Sequence, residues 1–108
     1  MPVDLGPPIV GDPAGMRALA AFLGAQAQEL GSLATAVTRT VAALRFEGPA
    51  SVRFRARTAD SARATLTEAL GLQDLASALQ RAAAQVEAEQ AERARLEQQL
   101  AEQRVHAP

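Results

Sequence analysis

From Met16 onward the chain places an apolar side chain at every seventh position: Met16, Leu23, Leu30, Val37 and Leu44. Leu19 and Leu33 hold the partner position, with Gln26 and Thr40 as polar breaks in it. Ala20, Ala27, Ala34 and Val41 widen the stripe on one side. This is the pattern of a helix that packs along its whole length. Asp12-Pro13 supplies the start signal, since an Asp carboxylate can accept from free N–H groups at the N-cap and proline fits the first helical position. Helix 1 is therefore predicted over about residues 13–45, a length of roughly 50 Å. Gly24 and Gly31 lie in this helix seven apart, a spacing expected to mark close approach of a neighbouring backbone.

A second stripe runs through Phe54, Thr58, Ala62, Thr65, Ala69, Leu72, Leu75, Ala76, Leu79, Ala83 and Val86. It predicts helix 2 from Pro49 to about residue 86, small in its first half and leucine-rich in its second. Gly71 is a place where this helix can kink or end, with Asp74 as a new N-cap. Beyond residue 86 the apolar anchors thin to Leu96 and Leu100 among Glu, Gln, Ala and Arg. Pairs such as Glu89 and Arg93 have the i,i+4 order that supports an exposed helix, so residues 87–108 are expected to form a polar helical tail with a frayed end. Residues 1–11 carry three prolines and two glycines and are expected to be a disordered arm.

Between the two stripes stands Phe46-Glu47-Gly48-Pro49. Gly48 and Pro49 can stop one helix and start the next, and Phe46 and Phe54 flank the break. Two long amphipathic helices joined by a turn at 46–48 predict an all-α, antiparallel hairpin over residues 12–86. One hairpin has one thin seam, and a chain this small buries little apolar area on its own. Phe22 lies off the stripe of helix 1, and Leu66 and Leu70 lie off that of helix 2. These three are the candidates for a second seam, through which two hairpins would dimerise into a four-helix bundle.

Composition narrows the function. The chain has 108 residues, no Cys, no Trp, no Tyr and a formal net charge of −1; all its basic side chains are Arg apart from His106. No disulfide or thiolate chemistry is available, and no global field draws the protein to nucleic acid. No apolar run approaches the ~20 residues of a membrane span, and Met1 to Gly11 has neither the basic nor the apolar region of an ordinary secretory signal peptide. Arg53, Arg55, Arg57 and Arg63 cluster early in helix 2 but spread around it, which fits a solvated face or an acidic partner better than a nucleic-acid groove. His106 is alone in the tail, and the core carboxylates Glu29, Glu47, Asp60, Glu68 and Asp74 make no close pair with a histidine. No catalytic residue, cofactor site or metal site is expected, and the chain does not read as an enzyme.

The turn carries a family resemblance. A helical hairpin of about this size with an aromatic-x-Gly turn resembles the WXG-motif (ESAT-like) small proteins of type VII secretion systems, with Phe46-Glu47-Gly48 standing for Trp-x-Gly. Phe54 is similar to a second aromatic early in the family's helix 2, and Gly48-Pro49-Ala50 looks like its turn-to-helix junction. The opening Gly11-Asp12-Pro13-Ala14 is similar to the N-terminal targeting domains of actinobacterial secreted toxins. The resemblance spans roughly residues 11–86. It implies Phe46, Gly48 and Phe54 as turn and export-motif residues and, as partner, a second copy, a second such hairpin or a larger effector. It further implies a tip read by a secretion ATPase, and a protein that is cytoplasmic before export without a cleaved signal peptide. The Phe replaces Trp, and the Tyr-x-x-x-Asp/Glu signal of mycobacterial members has no counterpart, because the chain has no Tyr. Read from the residues alone, a coiled-coil adaptor or chaperone stands as the alternative, and a helical nucleic-acid-binding protein as a weaker one.

Overall fold

The computed structural model describes Gly6 and residues 10–106. Two helices, α1 (Pro13–Ala43) and α2 (Pro49–His106), run antiparallel along each other in a rod of 92 × 17 × 12 Å. At 1.5 Å per residue α1 is roughly 46 Å long and α2 roughly 87 Å. Nearly half of α2 therefore has no α1 beside it.

Local chemistry places the helix ends. Asp12 Oδ1 accepts from the Gly15 amide at 3.0 Å, its carbonyl accepts from the Met16 amide, and Pro13 needs no acceptor for a donor it lacks. α1 stops at Ala43, two residues before the expected end at Arg45, because Leu44 turns extended at φ −67°, ψ 134°. Gly48 sits at φ +101°, in the left-handed region where a Cβ is strained, and its carbonyl accepts from Ser51 and Val52 to begin α2. A Cβ on Gly48 would meet nothing within 4 Å. The glycine is thus required by backbone conformation and not by crowding.

α2 does not end at Gly71, and Asp74 caps no new helix. A Cβ at Gly71 would also meet open space, so no neighbour pushes the helix apart there, and one glycine costs only about 1 kcal/mol of helix propensity. Nor is there a boundary at residue 86; α2 continues to His106. Its overhang carries the Arg93–Glu97 and Arg95–Glu92 ion pairs along one helix, while Glu89 accepts from Gln85. Much of the expected N-terminal arm, and the end of the tail, lie outside the described residues. Where the arm is described it runs along α2: the Gly11 carbonyl accepts from Gln90 and the Gly6 carbonyl from Arg93.

The seam departs from expectation. The most deeply buried apolar residues are alanines, Ala20, Ala27 and Ala34 on α1 and Ala69, Ala76 and Ala83 on α2. The Arg17–Glu87 ion pair, 2.6 Å, marks a register that brings Ala20, Ala27 and Ala34 level with Ala83, Ala76 and Ala69. Small side chains facing each other let two helix axes come to the near end of the usual 8–10 Å spacing, which leaves the column Met16, Leu23, Leu30, Val37, Leu44 on one flank and not at the centre. Among the described residues no large side chain is fully buried. Each buried methyl contributes about 0.8 kcal/mol, less than the roughly 1–2 kcal/mol of backbone entropy each ordered residue gives up.

Two glycine expectations also change. Gly24 and Gly31 meet nothing within 4 Å of a built Cβ, so neither marks a close backbone contact within the hairpin. Close approach occurs instead at Gly11, where a Cβ would lie 2.7 Å from Val86 Cγ1. Threonines of the helices satisfy their hydroxyls by donating to the carbonyl four residues back, as Thr58 does to Phe54 and Thr65 to Ser61.

If alanine sets the helix spacing, Ala27→Leu overpacks the seam and lowers stability by about 1–3 kcal/mol, whereas Ala25→Leu on the exposed side changes it by less than about 0.5 kcal/mol. Gly71→Ala, inside an unbroken helix with room for a methyl, raises stability by up to about 1 kcal/mol. Urea melts followed by helical circular dichroism check all three.

Candidate protein-interaction site

Two features stand out from the plain helical rod, its tip and its uncovered apolar face. At the tip, Phe46 and Phe54 meet edge to face with ring centroids 5.8 Å apart at 67°, an arrangement worth about 0.5–1.5 kcal/mol beyond burial. Phe46 is half-buried and Phe54 exposed, so the pair closes the open end of the hairpin from outside the alanine seam.

Arg55 holds this end together, a role the sequence reading did not assign. Its guanidinium lies 4.9 Å over the Phe46 ring. Nη1 donates to the Val41 carbonyl at 3.1 Å and Nη2 to the Leu44 carbonyl at 2.9 Å. Those carbonyls belong to the last turn of α1, which has no basic residue of its own. A cation from α2 thus caps the negative end of α1. Arg55 occupies the same heptad column as Ala62, Ala69, Ala76 and Ala83, so it points between the helices. That column and the short turn were the available signal; clustering Arg55 with its neighbours hid it. Of those neighbours, Arg63 pairs with Asp60, and Arg53 and Arg57 are exposed. Ser51 completes the tip, buried with its hydroxyl donating to the Gly48 carbonyl at 3.0 Å.

The faces sort by helical position. On one side of the seam, α1 contributes Leu19, Leu23, Leu30, Leu33 and Val37, and α2 contributes Phe54, Leu72, Leu75 and Leu79. Leu33 is 57% exposed and Leu75 51%. The other side holds an open groove of about 780 Å³, floored by Ala27, Gly31 and Ala69, with Gln28, Thr35 and Arg39 on one bank and Leu66 and Leu70 on the other.

The three residues expected to form one second seam do not share a face. Leu66 and Leu70 border the groove, whereas Phe22, 58% exposed, points roughly 150° round α1 from the alanine line. Leu19, Leu33, Val37 and Leu75, which the heptad pattern assigns to the internal seam, lie on the surface instead. Only the finding that alanine takes the centre frees them.

Among the described residues no group of His, Asp or Glu could hold a metal ion, and no helix is long and apolar enough to cross a membrane. The Arg95 guanidinium, donating to Glu92, holds that carboxyl below the usual carboxylate range and is itself raised by it; both are exposed on the α2 overhang.

Arg55→Ala removes two charge-assisted hydrogen bonds and the stacked cation, at an expected cost of about 1–2 kcal/mol for a partly exposed site. Arg55→Lys keeps the charge but loses the two-pronged geometry and recovers only part; thermal melts of the two variants rank them. In comparisons with known proteins, no protein-family model matched the chain, and no curated protein or solved structure gave a significant match.

Proposed function

We propose that this chain is a non-enzymatic, WXG-like protein of a type VII secretion system, acting as a secreted substrate or as the targeting partner of one through association of helical hairpins into a four-helix bundle. The observation that carries the association is the row of large aliphatic side chains left outside the hairpin's own seam, with Leu33 and Leu75 more than half exposed. Exposed apolar side chains grouped on one side of a rod are the usual mark of an association surface.

The link to secretion rests on the resemblance of Phe46-Glu47-Gly48 and is supported by how that turn is built. Gly48 at φ +101° and the Phe46–Phe54–Arg55 cluster give the tip one defined shape, as a surface read by a secretion ATPase requires. In this reading the protein is cytoplasmic before export and leaves without a cleaved signal peptide. A coiled-coil adaptor or chaperone would use the same apolar face and would not depend on the tip.

The tip separates these readings. Phe46→Ala, which removes the ring and keeps the backbone, is expected to abolish export in a secretion assay while helicity and association remain. Gly48→Ala is expected to reduce export and also to cost about 1–3 kcal/mol of stability through its left-handed backbone. Unchanged export of Phe46→Ala removes the secretion reading.

A further inference from the structure

We propose that the hairpin tip docks into a concave, acidic socket on a protein partner, through a collar of four exposed arginines, Arg39, Arg45, Arg53 and Arg57. The inference rests on the reading of the tip as the recognised part of the hairpin, and adds the chemistry of what recognises it.

Charge on this rod is uneven. Residues 39–63, around the turn, carry six arginines against two carboxylates, and the rest of the chain carries five against ten. Within the first group Arg63 pairs with Asp60, and Arg55 is engaged by the carbonyls of α1. Arg39, Arg45, Arg53 and Arg57 are exposed and make no ion pair among the described residues. Away from the tip Arg17, Arg93 and Arg95 each hold a carboxylate, and only Arg81 and Arg104 do not. The collar works against the isolated hairpin. Arg53 and Arg57 are like charges at i,i+4. They follow a first turn of α2 that has no acidic residue to answer the positive end of its dipole. Cations held where the fold disfavours them are suited to carboxylates supplied from outside.

Position selects the shape and class of the partner. Arg53 and Arg57, two residues either side of the inward Arg55, point roughly 160° round α2 from it. Arg39 stands on the α1 bank of the open groove, and Arg45 lies in the turn. The collar therefore surrounds the rod, with its helical members up to about 12 Å behind the turn. The turn itself presents the exposed carboxylate Glu47. A flat anionic bilayer approached end-on meets Glu47 first, and a straight nucleic-acid duplex reaches only one side of the collar. A socket with acidic walls reaches all four arginines. Apolar groups at the same end favour a protein as its owner: Val52 is 66% exposed, beside Leu44 and Phe54, which supplies the apolar centre that a charged rim encloses in protein interfaces. Between Arg45 and Arg55 an open cleft of about 620 Å³, walled by Leu44 and Phe46, gives one partner side chain a place to enter.

Amide shift titration of the isotope-labelled full chain with poly-L-glutamate, a flexible polyanion able to wrap the collar, tests this at about 0.15 M salt. A short DNA duplex and phosphatidylserine–phosphatidylcholine vesicles are the comparison probes. The expected result is saturable shifts confined to the tip, with binding weakened on the order of 10-fold by Arg53→Glu with Arg57→Glu. Arg81→Glu with Arg104→Glu, outside the tip, is expected to change it less than about 2-fold. Acidic residues early in α2 suit its dipole, so the first pair keeps its helicity and its thermal midpoint stays level or rises. In the secretion assay that pair lowers export on the order of 10-fold.

Equal weakening by the two pairs overturns the proposal. So does lost helicity with a lower midpoint in the Arg53/Arg57 pair, because the arginines then serve the fold. Tighter binding of the duplex or the vesicles than of poly-L-glutamate overturns it in favour of nucleic acid or a membrane. Export that depends on Phe46 and ignores the Arg53/Arg57 pair removes the acidic socket and leaves the secretion reading. Poly-L-glutamate binding at the collar with Phe46-independent export keeps the socket and removes the secretion reading.

Discussion

Everything in this hairpin depends on how closely its two helices can approach, and alanine decides that. Ala20, Ala27 and Ala34 meet the level of Ala83, Ala76 and Ala69, so the line of closest contact contains only methyl groups. A leucine in that line would push the axes apart; its absence draws them together and turns the leucines sideways. The hairpin gains a tight, continuous contact with little apolar volume, and it presents its larger side chains to whatever lies outside. Internal packing and external stickiness are two results of one choice of side-chain size.

The same geometry explains the tip. At the end of the alanine column the next seventh position is Arg55, long enough to reach past the last turn of α1 and donate to Val41 and Leu44. The helix pair therefore closes with a charge-assisted cap, with Phe46 against that cation and Phe54 edge to face with Phe46. Gly48 makes the reversal possible by taking a backbone conformation that other residues avoid.

Much of the architecture was legible in the residues. Asp12-Pro13 and Gly48-Pro49 mark helix starts through local capping chemistry, which acts within a few residues and needs no tertiary knowledge. The heptad spacing announces two helices that pack lengthwise. The ranking of columns was not legible. Met16 to Leu44 and Ala20 to Val41 both repeat every seven residues and lie side by side on α1, and hydrophobicity alone favours the leucines as the centre. Which column faces inward is a property of the pair, because the alanines of α1 exclude nothing only if α2 also brings alanine to the same level. Phe22 lies on a different side of the hairpin from Leu66 and Leu70 for the same reason: a side chain's face has meaning only once the opposing helix is set.

Local sequence chemistry thus determined the all-helical hairpin and its turn, since these follow from residue type and short-range spacing. Tertiary structure alone decided that alanine is the centre, that α2 runs unbroken through Gly71 to outlast α1, that Arg55 caps its neighbour, and that the leucines form an outward face. The first and the last of those depend on the register of two helices whose paired positions stand up to about seventy residues apart in the chain, a distance over which no local pattern carries information.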